Sequence, residues 1–354
     1  MALNKIRDKI DEIDQQIVEL LNARYRQVEK VGHWKKQNGS PIYVPEREKA
    51  LLQKICKYNQ GPMTNDILRA VYREIMSGAL KLESALKVTY FGAPGSFTHQ
   101  AALSKFGHSV ELHAADSIAE VFKAIEAERS DYGCVPVENS TEGAVTHTLD
   151  TLVNTNLSIC AELNLPIHHN LLSRSTFDKI KRVYSHIQVL GQCREYLQKN
   201  LQGVDIIETA STTKAAMIAV EEEGAAALGG KIAAELFDLN ILAENVEDFS
   251  NNTTRFLILG KQTTQPTGDD KTSVCFAIKD KVGALYDCIK PFKDKGITMT
   301  KVESRPMKNA NWEYCFFIDV LGHREDKIIQ EAFSELENSC SFFKILGSYS
   351  VAHS

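Results

Sequence analysis

The spacing of apolar residues changes once along this chain, and that change does most to limit what it can fold into. From Leu3 the apolar side chains fall at 3, 6, 10, 13, 17 and 20, in alternating steps of three and four, and no Pro or Gly intervenes before Gly32. Such steps keep one face of a helix apolar, so the stretch predicts a single long amphipathic helix. A second helix starts after Val44, where Pro45 suits a first helical turn, and a third runs from about Asn65 to Lys87. Residues 1–87 therefore read as an all-helical domain.

At Val88 the pattern shifts to short β-rich runs (VTYFG, YGCVPV, LSICAELNL, AAALGG, TRFLILG) alternating with helical stretches at 116–129, 188–199 and 211–223. That alternation predicts an α/β layered domain over 88–260. Residues 261–271, KQTTQPTGDDK, carry no apolar side chain and include Pro and Gly, the composition of a linker. Residues 272–354 then read strand 272–278, helix 282–294, strand 297–305, strand 312–320, helix 324–337 and strand 342–350. This βαββαβ order is that of a ferredoxin-like α+β module.

A content of 43% hydrophobic and 25% charged residues in 354 is that of a globular protein of two or three domains. The 41 basic and 46 acidic side chains leave −5, too mild for electrostatic capture of nucleic acid or of a membrane surface. No apolar run approaches the roughly 20 residues that a bilayer crossing needs, and the opening MALNKIRDKIDEID lacks an apolar leader core. Small-molecule partners and a cytoplasmic location are expected. Eight cysteines (56, 134, 160, 193, 275, 288, 315 and 340) form no CxxC pair and are expected to be reduced and mostly buried. His168 and His169 would point to opposite faces of a strand, and neither HExxH nor GxGxxG occurs, so no metal and no nicotinamide cofactor is expected.

Continuing the first apolar seam reaches Arg24, and Val28, Val31 and Lys35 follow at helical spacing, so two cations occupy a face that should be buried. They stand about 16 Å apart along one stripe. A single arginine there would snorkel; two cations bracketing two valines point to a dianionic ligand lying over the valines. Arg7 is roughly 26 Å from Arg24 along the helix and about 100° around it. It reaches the same ligand only if two copies of the helix run antiparallel, and is otherwise a surface residue. Arg47 and Glu48 stand just inside the second helix. Glu83 continues the stripe of Tyr72, Met76 and Ala79, which turns a carboxyl inward. Burying it charged is costly unless a cation pairs with it, so a protonated Glu83 that donates a hydrogen bond is expected.

Residues 3–84 resemble the AroQ-type chorismate mutases on Arg7, Arg24, VGxxK (Val31, Gly32, Lys35) and PxxxPERE (Pro41, Pro45 to Glu48). The resemblance implies a domain-swapped homodimer in which Arg7 of one subunit joins Arg24, Lys35 and Arg47 of the other. The arginines would hold the two carboxylates of chorismate, Glu48 its hydroxyl, and Lys35 with Glu83 the ether oxygen. Two positions depart from the pattern, since relatives carry Gln at Glu83 and Asp at Val44. The rearrangement is pericyclic, so folding the substrate and stabilising charge on that oxygen suffice.

In the α/β region, FGAPGSFTHQAAL sets a Gly-rich turn and Ser96 before a helix, turning free N–H groups outward. Glu138, Asn139 and Ser140 end one strand; Ser185, His186, Gln188 and Gln192 precede and open a helix; Asn252, Thr253, Thr254, Arg255 and Phe256 lead into the last strand. Strand ends in open α/β sheets hold ligands, although each cluster would also serve to cap an element. Together the segments resemble prephenate dehydratases, whose GxxGSF, VPVENSTEG, YSHxQxLxQC and NxTRF occur here in order over 88–260. The resemblance implies two α/β lobes like those of periplasmic binding proteins, with the site in the cleft and the chain crossing back near 166 and 245. Thr254 would be the catalytic residue, and Ser96, Glu138, Asn139, Ser140, Ser185, His186, Gln192, Asn252, Arg255 and Phe256 would line the substrate site. Arg255 would contact a substrate carboxylate or order the loop.

In the last module, Gly283, Ala284 and Leu285 open a helix, and VESRPM, with Glu303, Ser304 and Arg305, ends the next strand. These resemble the GAL and ESRP signatures of ACT domains attached to prephenate dehydratases, which implies L-phenylalanine bound between subunits as a feedback effector. Gly283 would admit the amino acid close to the backbone or simply cap the helix. The three resemblances, in order, identify the chain as a member of the bifunctional chorismate mutase/prephenate dehydratase family. It is expected to carry chorismate through prephenate to phenylpyruvate, without cofactor, as a homo-oligomer, dimer or tetramer, under phenylalanine control. A mutase fused to a dehydrogenase is opposed by the missing dinucleotide fingerprint, and a non-catalytic two-lobed regulator by Thr254 and the mutase cations.

Overall fold

The computed structural model describes residues 2–278, 281–306 and 314–352; Met307 of VESRPM and the expected strand start at 312–313 lie outside the described residues. The chain divides into two compact units, Met1–Lys87 with Phe106–Glu111, and Val88–Lys105 with Leu112–Ser354.

The first unit holds α1 (Ala2–Asn38), α2 (Pro45–Tyr58) and α3 (Asn65–Glu83). Thirty-seven residues make α1 about 55 Å long. Pro45 occupies the first turn of α2, and Val44 is its N-cap without a side-chain hydrogen bond. The Thr64 side chain caps α3 by accepting from the Ile67 N–H. The third helix ends at Glu83, short of the expected Lys87, because Lys87 already opens the first strand. Gly32 lets α3 lie close to α1, since a Cβ there would stand 3.1 Å from Glu83 Cα. The seam residues Leu3, Ile6, Ile10, Ile13, Ile17 and Leu20 remain between 47 and 69% exposed. Phe106–Glu111 groups with these helices, not with the α/β region that its sequence position suggests; the Ser109 N–H bonds Ser77 Oγ at 2.9 Å.

The second unit begins with β1 (Lys87–Phe91), α4 (Phe97–Phe106), β2 (Glu111–Ala115), α5 (Ile118–Glu126), β3 (Tyr132–Asn139), β4 (Gly143–Ala144), α6 (Thr146–Asn154) and β5 (Ser158–Pro166). The chain then leaves this lobe for a second one. That lobe contains β6 (Asn170–Ser173), β7 (Arg182–Ser185), α7 (Ile187–Gln192), α8 (Arg194–Asn200), β8 (Asp205–Glu208), α9 (Thr212–Glu221), β9 (Ala225–Gly229), α10 (Lys231–Phe237) and β10 (Asn240–Ala243). With β11 (Thr253–Gly260) it returns to the first sheet, whose order is β2-β1-β3-β11-β5, while the second sheet runs β10-β6-β9-β7-β8. The two crossings, 167–169 and 244–252, lie side by side: Ile167 N–H bonds Asn252 O and Val246 N–H bonds His169 O, both at 2.8 Å.

The last module consists of β12 (Asp270–Ile278), α11 (Ala284–Asp294), β13 (Met299–Pro306), β14 (Tyr314–Leu321), α12 (Lys327–Ser339) and β15 (Phe342–Ser350), in the antiparallel order β13-β14-β12-β15. Both helices pack on one sheet face through Cys288, Phe292, Phe333 and Leu336. The opposite face, with Cys275, Phe317, Leu346 and Tyr349, shares one core with Val135, Leu149, Ile159 and Leu257 of the first lobe. Contact is close enough that a Cβ on Gly347 would strike the Ile159 backbone.

The expected linker is correspondingly not a solvated tether. Asp270 and Lys271 belong to β12, and Thr264 is buried with its hydroxyl donating to Ser348 O. The Asp270 carboxylate accepts from Thr267 N–H at 2.7 Å and from Gly268 N–H at 3.0 Å. Polar residues here satisfy one another in a folded turn, which composition alone does not distinguish from hydration. All eight cysteines are free, six of them buried. No helix among the described residues is long and apolar enough to cross a membrane.

Candidate active sites

In the two-lobed unit, one irregularity decides which side chains share the face expected to line the cleft. Strand β11 pairs antiparallel with β3, matching Phe256 to Pro136, Arg255 to Glu138 and Thr254 to Asn139, so Val137 is an extra residue. A bulge of this kind turns every later side chain to the other face. Glu138 and Arg255 consequently share one face of the sheet, and Asn139 and Thr254 share the other.

On the cleft face, Asn139 Nδ2 donates to Asn252 Oδ1 at 2.8 Å and to Thr254 Oγ1 at 2.7 Å. Asn139 Oδ1 accepts the backbone N–H groups of Thr141 and Glu142 at 2.9 and 3.0 Å. Asn252 Nδ2 donates to Gln192 Oε1 at 3.3 Å, and the same oxygen lies 3.0 Å from His169 Nε2. The cluster thus joins β3, β11, both crossings and the end of α7. His169 is 1% exposed, and the Phe97 ring stands edge-on to it at 5.4 Å. Burial holds its pKa below the ordinary histidine value. The neighbouring His168 lies in the crossing, not in a strand, and pairs with Glu247 at 2.7 Å. Burial raises the Glu247 pKa, but the hydrogen bonds from His168 and the His169 N–H outweigh it and the net shift is downward. Among the described residues no group of three or more His, Cys, Asp or Glu is placed to hold a metal.

The opposite face is ionic. Arg255 Nε lies 2.7 Å from Glu162, its Nη1 2.6 Å from Asp319, and its Nη2 donates to Tyr349 Oη at 2.9 Å. Lys271 reaches Glu162 at 2.9 Å, and Lys301 reaches Glu138 at 2.7 Å. Burial works against the guanidinium charge, but Tyr349, Asp319 and Glu162 raise the Arg255 pKa well above its ordinary value. Arg255 and Glu138 therefore face the C-terminal module and not the cleft, contrary to the expectation that both line the substrate site. Motif adjacency gave no view of strand alternation across a bulge.

The other expected cleft residues separate by the same test. Ser140 ties β3 to β11, its Oγ accepting from Thr253 N–H at 3.0 Å. Ser96 Oγ accepts from the His99 N–H at 3.3 Å as the cap of α4. His186 caps α7, accepting from Gln188 N–H. Ser185 is fully buried and donates to Leu228 O at 3.0 Å, pinning β7 to β9 instead of joining the cluster. Phe256 is 1% exposed, on the strand face of Thr254. His169, absent from the expectation as a site residue, is the one that sequence reasoning missed; it was read only as half of a histidine pair.

In the helical unit, Lys35 Nζ lies 2.7 Å from Glu83 Oε2 and donates to Ile42 O at 2.5 Å. A cation therefore stands against the inward-turned Glu83 carboxyl, the pairing that offsets the cost of burying it. Tyr43 Oη donates to Glu48 at 2.6 Å. Arg24 Nη1 is buried without a hydrogen-bond partner among the described residues, while Arg7 and Arg47 are exposed.

In the last module, Gly283 has φ 82° and caps α11, and nothing among the described residues lies within 4 Å of where a Cβ would stand. Ala284 is buried, and Ser304 is exposed on the edge strand β13. Leu285 and Glu303 are half-buried. Arg305 is turned toward the first lobe, 3.4 Å from Asp150.

Residues 6–84 match the family described as chorismate mutase type II, and residues 88–264 match prephenate dehydratase. A bifunctional chorismate mutase/prephenate dehydratase of Aquifex aeolicus is 44% identical over 355 residues, spanning 99% of this chain and 98% of its own. The structure of a prephenate dehydratase from Arthrobacter aurescens in complex with L-Phe is similar at a TM-score of 0.70 and 30% identity, over 75% of this chain and 90% of that one. GqqA, a quorum-quenching acylase, is similar at a TM-score of 0.70 and 27% identity, over 75% and 98%.

Proposed function

Because this chain belongs to the bifunctional chorismate mutase/prephenate dehydratase family, which converts chorismate to prephenate and prephenate to phenylpyruvate, we propose how its residues divide that work. The acylase relative shows that the two-lobed fold alone does not set the chemistry. The observation that carries the dehydratase assignment is the neutral cluster of Asn139, Thr254, Asn252, Gln192 and His169 in the cleft. Prephenate loses its ring carboxylate as CO2; the freed electron pair aromatises the ring and expels the para hydroxyl, which takes a proton and leaves as water. Thr254 faces that hydroxyl. Uncharged donors suit the task, since a cation held against the ring carboxylate would stabilise the ground state that must be lost.

For the mutase, a second copy of the chain covers the exposed seam of α1 and brings its Arg7 to the site of its partner. Six exposed large apolar residues on one helical face support this assembly, as does the unpartnered nitrogen of Arg24, which awaits an anion. Arg7, Arg24 and Arg47 hold the carboxylates, Glu48 the hydroxyl, and Lys35 with Glu83 the ether oxygen.

The C-terminal module is an ACT domain that binds L-phenylalanine near Gly283, Ala284 and Leu285 and the strand of Glu303, Ser304 and Arg305. The exposure of Val282 and Tyr286 beside this helix start, and of Val302 on the edge strand, supports binding between two copies. Its signal reaches the cleft through Lys301–Glu138 and Asp319–Arg255, each one residue from a member of the cluster. Incubating the purified full chain with chorismate should yield phenylpyruvate, less of it with added phenylalanine. Failure to form phenylpyruvate contradicts the assignment, and full mutase activity in a strictly monomeric preparation contradicts the shared site.

A further inference from the structure

The hydrogen bonds of the cleft cluster fix the direction in which every one of its groups donates. Backbone N–H groups only donate, so the Asn139 atom that meets the N–H groups of Thr141 and Glu142 is the side-chain oxygen. Its NH2 group then supplies both remaining bonds, to Thr254 Oγ1 and to Asn252 Oδ1. With its oxygen engaged, Asn252 turns its NH2 to Gln192 Oε1. That oxygen can then meet His169 Nε2 only if the nitrogen carries hydrogen. The reverse tautomer would require Gln192 to turn its NH2 toward His169, setting it against the NH2 of Asn252. His169 Nδ1 is buried with no partner among the described residues, as the Nε2–H tautomer of a neutral imidazole leaves it.

Both ends of this chain consequently keep a donor that no bond within the cluster uses. Thr254 accepts from Asn139, so its own proton is free to turn into the cleft. Gln192 spends its oxygen twice, and its Nε2 finds no acceptor among the described residues.

Resting on the dehydratase assignment above, we infer that Asn139 and His169 are positioning residues that hold Thr254 and Gln192 as hydrogen-bond donors toward the substrate. Asn139 is locked by the turn after β3 and hands Thr254 a hydrogen bond, so the Thr254 hydroxyl serves the departing hydroxyl of the substrate as donor. His169 occupies the second oxygen lone pair of Gln192 and keeps the amide hydrogens of that residue outward. Neither needs to touch the substrate.

Asn139→Asp preserves the bonds from Thr141 and Glu142 but replaces the donor to Thr254 by an acceptor, which claims the Thr254 proton. In the full chain it should lower kcat for prephenate dehydration on the order of 100-fold, the effect of removing one donor at a reacting oxygen, with KM shifted less than about threefold. His169→Leu should also lower kcat, and His169→Gln, whose Nε2 reaches the position of the imidazole N–H, should recover most of that loss. Imidazole 15N shifts of the unaltered protein should report the Nε2–H tautomer, a readout independent of whether a variant folds. An Asn139→Asp enzyme of undiminished kcat, a His169→Gln enzyme no better than His169→Leu, or the Nδ1–H tautomer would each overturn the inference. Absence of phenylpyruvate from the unaltered protein would instead overturn the dehydratase assignment on which it rests.

Discussion

The two faces of the β3–β11 strand pair carry opposite kinds of polar group. Toward the cleft stand amides, a hydroxyl and an imidazole, joined in one chain of hydrogen bonds. Toward the C-terminal module stand Arg255, Glu138, Glu162, Asp319, Lys271 and Lys301, joined by ion pairs. Only the alternation of a strand separates them, so residues adjacent in sequence are proposed to serve chemistry and control respectively. The bulge at Val137 makes this possible, because it sets Glu138 and Asn139 opposite Arg255 and Thr254.

Substitutions on either face test whether the division holds. Thr254→Ala removes the donor on the cleft side and should lower dehydratase kcat by about 10²–10⁴, leaving chorismate consumption in the same preparation intact; retained phenylpyruvate formation would place the chemistry elsewhere. Arg255→Met removes the centre of the buried ionic face, taking the cation from Asp319 and leaving Glu162 to Lys271 alone. It should cost roughly 3–5 kcal/mol in denaturant unfolding of the α/β unit, and a variant as stable as the parent would make that face ornamental. Acid should act first on the cleft side. The pKa of His169 is lowered by burial, so the unfolded chain takes up its proton first. Its contribution to stability is complete above about pH 6.5 and declines below it by up to about 1.4 kcal/mol per pH unit. His169→Gln should flatten that limb of a pH-dependent melting curve; an identical limb in the variant would assign the effect to another group.

Domain order, the long first helix and the βαββαβ module were legible in the sequence because each rests on apolar periodicity, which survives without knowledge of neighbours. The residues brought together in the cleft were legible as motifs, but their orientation was not. Strand alternation runs from Val135 through Val137 to Asn139, and without the bulge it would put Asn139 on the core side; a bulge carries no compositional mark at this position. His169 escaped because a buried histidine is recognised by what surrounds it. The segment 261–271 is ambiguous for the complementary reason, that polar side chains bonded to one another in a folded turn have the same composition as polar side chains in water. In the helical unit, Glu83 was correctly placed on the inward stripe, yet its pairing with Lys35 depends on the approach of α3 at Gly32.

The division between chemistry and control is tested most directly at Lys301, which lies on the control side, touches Glu138 and is remote in sequence from the cleft motifs. Glu138 is 41% exposed, so loss of its partner leaves a hydrated charge and little instability. The measurement is phenylpyruvate formation by Lys301→Met across a range of phenylalanine concentrations. The rate without phenylalanine should stay within about threefold of the parent and the inhibition midpoint should rise roughly tenfold; an unchanged midpoint, or a rate lost even without phenylalanine, would contradict the division.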